Sequence, residues 1–251
     1  MAGHSKFKNI QHRKAAQDKK KAKVYTKYIR DIMTAARQGG GDLASNPTLR
    51  SLVDKARREN MTNEVVTRAI KRGTGEIAGA DYIERTYEGY GPGGVAVFVT
   101  TLTDNPTRTI TNVRTAFSKH GGNVGQDGTV AWMFKQVGQI TYPAKVADVD
   151  AMLEAGIMAG AEDVESDELE HLITTSVGGF GTVRDALAED YGEAEEAELA
   201  YIPTQMQAVT SLEIAQSVLK MVDQLENDDD VQAVVTNMEL SDDVAAELGA
   251  G

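Results

Sequence analysis

The stretch Tyr82–Leu102, YIERTYEGYGPGGVAVFVTTL, is where the sequence changes from helical to strand periodicity. Two runs suited to strands, Tyr82–Glu88 and Val95–Leu102, flank the turn-forming segment GYGPGG, which predicts a β-hairpin. The second run contains VAVFV, a continuous apolar sequence typical of a strand that is buried on both faces. The glycines formally match G-x-G-x-x-G, but a strand follows them, whereas that motif delivers a phosphate to a helix N-terminus. We therefore interpret the segment as a tight turn.

The sequence before this hairpin has helical periodicity. An apolar stripe that begins at Tyr25 and repeats at three- and four-residue spacing predicts a helix that ends at the glycines 39–41. Asn46, followed directly by proline, predicts the N-cap of a second helix. A third helix is expected over 62–73, and together the three amphipathic helices predict a small bundle.

Downstream of the hairpin, helical and strand patterns alternate. A DG turn at Asp127-Gly128 precedes a predicted strand, TVAWMF, and a β-α-β tail follows residue 204. Because such a tail has no sheet of its own, we expect it to complete an earlier sheet. The predicted fold class is α+β, with an N-terminal three-helix domain followed by two α+β (ferredoxin-like) domains, the third inserted in the second. The expected domains are 1–80, basic and helical; 81–135 plus 204–240, α+β; and 136–203, an inserted acidic α+β domain.

Charge is strongly segregated along the chain. The formal net charge is −12, yet residues 1–80 contain 18 Lys and Arg against 7 Asp and Glu, and the remaining 171 residues contain 8 against 31. Such asymmetry is typical of a nucleic-acid-binding or membrane-binding arm on a soluble body. We expect DNA or RNA phosphates to contact the basic end, because the acidic remainder repels a polyanion. The acidic domains are instead suited to basic protein partners.

Several classes of function find no support in the sequence. There is no cysteine, so disulfides, thiolate metal sites and a cysteine nucleophile are excluded. No apolar run approaches the roughly 20 residues of a membrane span, and the basic start lacks the apolar segment of a secretory signal. The four histidines and the carboxylate clusters form no recognisable ligand or catalytic pattern. The expectation is a cytoplasmic protein with no membrane contact, no cofactor, no metal and no enzymatic activity.

The candidate nucleic-acid-binding residues are therefore the ten cations among the first thirty positions, which contain a single acidic residue, Asp18. They are Lys6, Lys8, Arg13, Lys14, Lys19, Lys20, Lys21, Lys23, Lys27 and Arg30. Phe7 is a candidate for stacking on a base. No predicted helix has the Arg-, Asn- or Gln-rich surface with which proteins read DNA bases, so any DNA specificity would come from shape or oligomerisation.

Several blocks of sequence also suggest a family. They are MAGHSKF at Met1–Phe7, HRKAAQDKK at His12–Lys20, AARQGGGD at Ala35–Asp42, NPTLR at Asn46–Arg50, RAIKRGTG at Arg68–Gly75, YEGYGPGGVA at Tyr87–Ala96 and TDNPTRT at Thr103–Thr109. Together these blocks resemble the YebC/PmpR family of bacterial proteins, which is related to a mitochondrial translational activator. Phe7 stands where the family commonly has Trp, which leaves a stacking aromatic ring but removes an indole N–H.

The resemblance implies a cytoplasmic, non-enzymatic protein of three domains, with the third inserted in the second. Members are usually described as DNA-binding transcriptional regulators. The competing view is a ribosome-associated translation factor that binds ribosomal RNA and relieves stalling at difficult stretches such as consecutive prolines. The same cations serve both hypotheses, since both ligands present phosphates.

Overall fold

The computed structural model describes residues 17–79 and 81–249, with side chains from residue 24 onward. The fold is α+β: a helical N-terminal region precedes domains built on antiparallel sheets, which confirms the predicted fold class. The chain forms two compact units. One comprises the described residues up to Ala131 together with those from Met206 onward, and the other is Trp132–Gln205. The division into three domains with the boundaries given above stays a prediction.

The N-terminal region contains the three helices that the apolar spacing predicts: α1 (Gln17–Gly39), α2 (Pro47–Arg58) and α3 (Asn63–Gly73). Their inward faces share one core, which includes Ile32, Met33, Leu49, Val53, Met61 and Val66. Asn46 fixes the corner between α1 and α2. Its side-chain oxygen accepts from the backbone N–H of Leu49 at 3.0 Å, which confirms the predicted N-cap. Its amide donates to the carbonyl oxygens of Ala35 and Gly40 at 2.9 and 2.8 Å.

The remaining elements alternate along the chain. The strands are β1 (Ile83–Tyr90), β2 (Ala96–Thr103), β3 (Asn123–Val124), β4 (Phe134–Pro143), β5 (Asp163–Ser166), β6 (Glu170–Thr175), β7 (Glu196–Pro203), β8 (Gln207–Val209), β9 (Val231–Thr236) and β10 (Met238–Leu240). The helices are α4 (Pro106–Lys119), α5 (Val149–Ala159), α6 (Phe180–Tyr191), α7 (Leu212–Glu226) and α8 (Asp242–Gly249). The short strands β3, β5 and β10 and the helix α8 were not among the sequence predictions.

The first sheet has the strand order β3-β1-β2-β9. β1 and β2 form the predicted hairpin, with Ile83 opposite Thr103 and Tyr90 opposite Ala96. Gly93 and Gly94 in the turn have φ angles of 70° and 74°, which glycine adopts without steric cost. β9 pairs antiparallel with β2, so the prediction that the tail completes an earlier sheet is confirmed for its second strand. The first strand of the tail, β8, instead pairs parallel with β10 in a separate two-stranded sheet. Nearly all residues of β2 are buried, as its apolar run predicts.

The predicted strand TVAWMF is wrong over most of its length. Residues 129–133 form a bend and a short 3₁₀ turn, and β4 begins only at Phe134. The cause is the buried carboxylate of Glu88, which accepts hydrogen bonds from the backbone N–H groups of Gly128, Val130 and Ala131 at 2.7–2.8 Å. Because these N–H groups donate to a side chain, they cannot form the backbone hydrogen bonds of a β-strand.

The second compact unit contains a sheet with the strand order β5-β6-β4-β7, packed against α5 and α6. His171 is buried within it: Nδ1 lies 2.7 Å from the Ser166 hydroxyl, and Nε2 lies 3.1 Å from the carbonyl oxygen of Ala147. These contacts satisfy the ring locally. β5 escaped prediction because it lies inside the charged run 162–170, where only Val164 of the strand is a large apolar residue directed toward the core.

Candidate nucleic-acid interface

The structure describes only part of the predicted set of cations. The residues that lie outside the described part of the chain are Lys6, Phe7, Lys8, Arg13 and Lys14. The backbone of Lys19, Lys20, Lys21 and Lys23 lies in the first turns of α1, and their side chains fall outside the described residues as well. Lys27 and Arg30, farther along α1, are described completely.

Arg30 is a structural residue. It is 8% exposed, and its Nη1 donates to the Asp230 carboxylate at 2.9 Å and to the carbonyl oxygen of Asp229. Its guanidinium carbon lies 5.1 Å from the centre of the Tyr82 ring, a cation–π arrangement. Because a guanidinium held in this way is not open to a nucleic acid, Arg30 leaves the candidate interface, contrary to its place in the predicted set.

Asp230 is the centre of a buried polar cluster. Arg108 Nη2 lies 2.7 and 2.8 Å from its two carboxylate oxygens, and the Thr109 hydroxyl donates at 2.8 Å. Although burial raises the pKa of Asp230, the hydrogen bonds from Arg108 and Thr109 hold that pKa below its usual value. We call Arg30, Arg108, Thr109 and Asp230 the Asp230 clamp. It joins α1 to α4 and to the start of β9.

The clamp could not be predicted from the sequence. Arg108 and Thr109 belong to the TDNPTRT block, in which no residue was assigned a partner. Asp230 ends the acidic run 228–230, one of the carboxylate clusters that form no recognisable ligand or catalytic pattern in the sequence. Arg30 and Asp230 are 200 positions apart, and no local pattern relates residues at that distance.

Lys27 and Asp31 lie one turn apart on α1, beside the predicted phosphate contacts. Burial raises the pKa of Asp31 to about 7, and the positive charges of Lys27 and Lys55 oppose this rise only in part. Near neutral pH a large fraction of Asp31 is therefore protonated. As a result, Asp31 competes less with a phosphate for Lys27 than an ionised carboxylate would.

Replacing Asp31 with Asn is expected to stabilise the protein at high pH only. Since the folded pKa lies above the unfolded value, the protonated carboxyl favours the folded state at low pH, and this advantage is lost as the pH rises through about 7. We expect Asp31→Asn to raise the free energy of unfolding by about 1–2 kcal/mol at pH 8.5 and by little near pH 4. Urea denaturation at both pH values measures this. The control is Asp54→Asn, an exposed carboxylate on α2; an equal gain from Asp31→Asn at both pH values would contradict the prediction.

Exposed cations on α2 and α3 add positive charge to the three-helix region beyond the predicted set. Arg50 and Arg57 share one face of α2, and Arg68 and Lys71 share one face of α3. Two of the four already have acidic neighbours: Arg57 lies 3.6 Å from Asp54, and Arg68 lies within 2.6 Å of a carboxylate one turn away. Exposed ion pairs of this kind contribute little energy, so a phosphate can replace the carboxylate at small cost. The excess of cations over residues 1–80 was the signal from which these positions could have been found.

The acidic clusters form no metal site among the described residues, where no three His, Asp or Glu side chains are placed to hold an ion. One member of the run 162–170, Glu162, instead accepts from Lys135 at 2.8 Å. Within 17–79 and 81–249, no helix is both long enough and apolar enough to cross a membrane.

Fold and charge together define a class of protein: a cationic three-helix region followed by acidic α+β units. Residues 5–76 match the family described as the TACO1/YebC protein N-terminal domain, and residues 82–238 match the one described as TACO1/YebC second and third domain. The chain belongs to the TACO1/YebC family, as its sequence blocks predicted.

Bacterial relatives align with nearly the whole chain. A protein of Pseudomonas savastanoi pv. phaseolicola is 51% identical over 99% of this chain and 100% of its own length, and one of Acinetobacter baumannii strain AYE is 50% identical over 100% of both. Both are named probable transcriptional regulatory proteins. The crystal structure of a conserved hypothetical protein, Aq1575 from Aquifex aeolicus, is similar with a TM-score of 0.84 and 40% identity, covering 90% of this chain and 93% of that one.

Proposed function

We propose that this chain is a cytoplasmic, non-enzymatic regulator of gene expression that binds DNA, gripping phosphates through its basic leader and first helix. The observation that carries the proposal is the concentration of ten cations in the first thirty residues of a chain with a net charge of −12. Nine of the ten remain candidates, since Arg30 belongs to the Asp230 clamp. Full-length relatives named probable transcriptional regulatory proteins support the regulatory role. Cations that displace condensed counterions from phosphates provide the binding energy.

The geometry of α1 supports a defined binding surface. Lys19, Lys23 and Lys27 recur every four residues in this helix, so their backbone positions lie along one side of it. Farther along the same helix, the Asp230 clamp fixes α1 at Arg30. A helix fixed at one position loses less freedom on binding than a mobile tail would, which favours affinity.

We also propose that the chain has three domains, 1–80, 81–135 plus 204–240, and 136–203. Two observations support this division. The compact unit Trp132–Gln205 begins and ends within a few residues of the proposed third domain, and the family matches separate an N-terminal domain from a second and third. The first domain is then the nucleic-acid-binding part, and the acidic domains are left for basic protein partners.

The experiment that tests the function measures the affinity of the intact chain for duplex DNA over a series of salt concentrations. We expect the logarithm of the binding constant to fall linearly with the logarithm of salt concentration, with a slope of about −0.9 for each phosphate contacted. Co-sedimentation with ribosomes, measured in parallel, tests the competing ligand, ribosomal RNA. Ribosome binding without measurable affinity for duplex DNA would refute the transcriptional proposal, and affinity for neither would refute nucleic-acid binding altogether.

A further inference from the structure

The outer face of α5 carries an exposed apolar stripe. Val149, Leu153 and Ile157 are 55%, 42% and 62% exposed, and their four-residue spacing puts them on one side of the helix. Met158, the next residue, is 82% exposed. Single apolar residues are common on protein surfaces, but an aligned row of them on one helix marks an interaction site.

The stripe does not serve the core of its own unit. α5 packs on the sheet through a different face, where Met152 is fully buried and Gly156 lies against Val164 of β5. A Cβ atom at Gly156 would lie 2.5 Å from the Val164 side chain, so the helix approaches the strand as closely as the backbone allows. With the inner face occupied in this way, the stripe of Val149, Leu153 and Ile157 is available to a partner.

Negative charge surrounds this stripe. Asp150 and Glu154 are exposed and form the adjacent row of α5. The unit Trp132–Gln205 contains 3 Lys and Arg against 16 Asp and Glu, a net charge of −13. This is more negative than the net charge of the whole chain, −12. Two of its three cations are already held in ion pairs, Lys135 with Glu162 at 2.8 Å and Arg184 with its neighbouring aspartate at 2.7 Å. A field of this sign attracts positively charged proteins and repels nucleic acids and anionic lipid surfaces.

We propose that the outer face of α5 is the docking site for a cationic amphipathic helix of a partner protein. Three aliphatic side chains of that helix would pack on Val149, Leu153 and Ile157, while its Lys or Arg residues would face Asp150 and Glu154. Charge complementarity selects this partner: an anionic or uncharged helix would gain the apolar contact without the electrostatic attraction. The proposal does not depend on nucleic-acid binding, and its test uses no nucleic acid.

The test uses a synthetic helical peptide that carries three leucines at four-residue spacing on one face and lysines on the other. We expect it to bind the full chain and to shift the NMR methyl signals of Val149, Leu153 and Ile157. Two control peptides separate the contributions, one with serine in place of leucine and one with glutamate in place of lysine. Both controls should bind at least about tenfold more weakly.

Variants of the protein locate the binding. Leu153→Gln combined with Ile157→Gln is expected to weaken peptide binding about tenfold or more, as is Asp150→Asn combined with Glu154→Gln. Each pair has a matched control that removes equivalent exposed groups elsewhere in the same unit. The controls are Leu169→Gln with Val177→Gln, and Glu189→Gln with Asp190→Asn. All of these side chains are exposed, so thermal unfolding should change little, and a melt of each variant verifies that it folds.

Two outcomes would overturn the proposal. Equal binding by the stripe variant and its control, or NMR shifts outside α5, would show that the peptide responds only to net charge. Sedimentation could instead reveal a dimer of the wild-type chain that dissociates in the Leu153→Gln, Ile157→Gln variant. If the peptide then fails to bind, the face is an interface between two copies of this chain, and the proposed partner is wrong.

Discussion

Asp230→Asn is expected to lower the free energy of unfolding by about 3 kcal/mol and to loosen α1 from the first sheet. The carboxylate is 1% exposed and accepts from Arg30 at 2.9 Å, from Arg108 at 2.7 Å and from Thr109 at 2.8 Å. An amide of the same shape removes the negative charge and turns one acceptor into a donor. Arg30 is then left as a buried cation without its counterion, which is the costly part of breaking a buried pair.

Urea denaturation measures the loss, and hydrogen exchange of the α1 amides shows whether the helix has loosened. The matched control is Asp104→Asn, because Asp104 also pairs with Arg108, at 2.9 Å, but is much more exposed. That control should cost less than about 1 kcal/mol. The pKa of Asp230 is lowered in the folded state, so its ionised carboxylate stabilises the fold at pH values above the pKa of an unfolded Asp. This stabilisation is lost as the pH falls through the lower pKa of the folded state. Equal losses from the two variants would show that the clamp has no special role.

Replacing Lys19, Lys20, Lys21 and Lys23 with Gln is expected to weaken binding to duplex DNA by about 100-fold or more near 0.1 M salt. If each lysine contacts one phosphate, the salt dependence should also become shallower by about 3.6 in slope, because each contact releases about 0.9 counterions. The four positions lie in the first turns of α1, where glutamine preserves helix propensity. Fluorescence anisotropy with labelled duplex over a range of salt concentrations measures both effects.

A second variant of identical net charge is the control. It replaces four exposed cations of the sheet-containing part with Gln: Arg114, Lys119, Lys145 and Lys220. Both variants carry four more net negative charges than the natural chain, so long-range repulsion of DNA rises similarly in the two. Only the α1 variant should lose the steep salt dependence. Similar losses of affinity and slope in both would mean that overall charge, and not the leader and first helix, governs binding.

Local sequence signals predicted most elements of the fold. The apolar spacing from Tyr25 onward, the N-cap at Asn46 and the glycine-rich turn of the hairpin depend on residues close together in the chain, so they can be interpreted without the structure. The pairing of β9 with β2 followed from a simple argument about unpaired strand edges. These features were found because neighbouring residues are sufficient to determine them.

Three of the features that were missed depend on residues far apart in the chain. Glu88 redirects the backbone around Val130 and so abolishes a predicted strand, although about forty positions separate the two. Burial by parts of the chain far away in sequence turns Arg30 from a phosphate ligand into a structural residue. The apolar stripe of α5 was overlooked for a related reason: both faces of that helix are apolar, and only the packing of Met152 shows which face is left exposed.

The 200-residue separation between Arg30 and Asp230 also has a consequence for biosynthesis. At about 5–20 residues per second, a ribosome needs roughly 10 to 40 s to make the chain between them. During that interval the newborn basic segment lacks its anchor, and β2 presents an open edge until β9 has emerged. Translation that stops early would therefore release a fragment with an unanchored cationic helix and an unpaired strand, a species prone to aggregation and a natural target for chaperones and proteases.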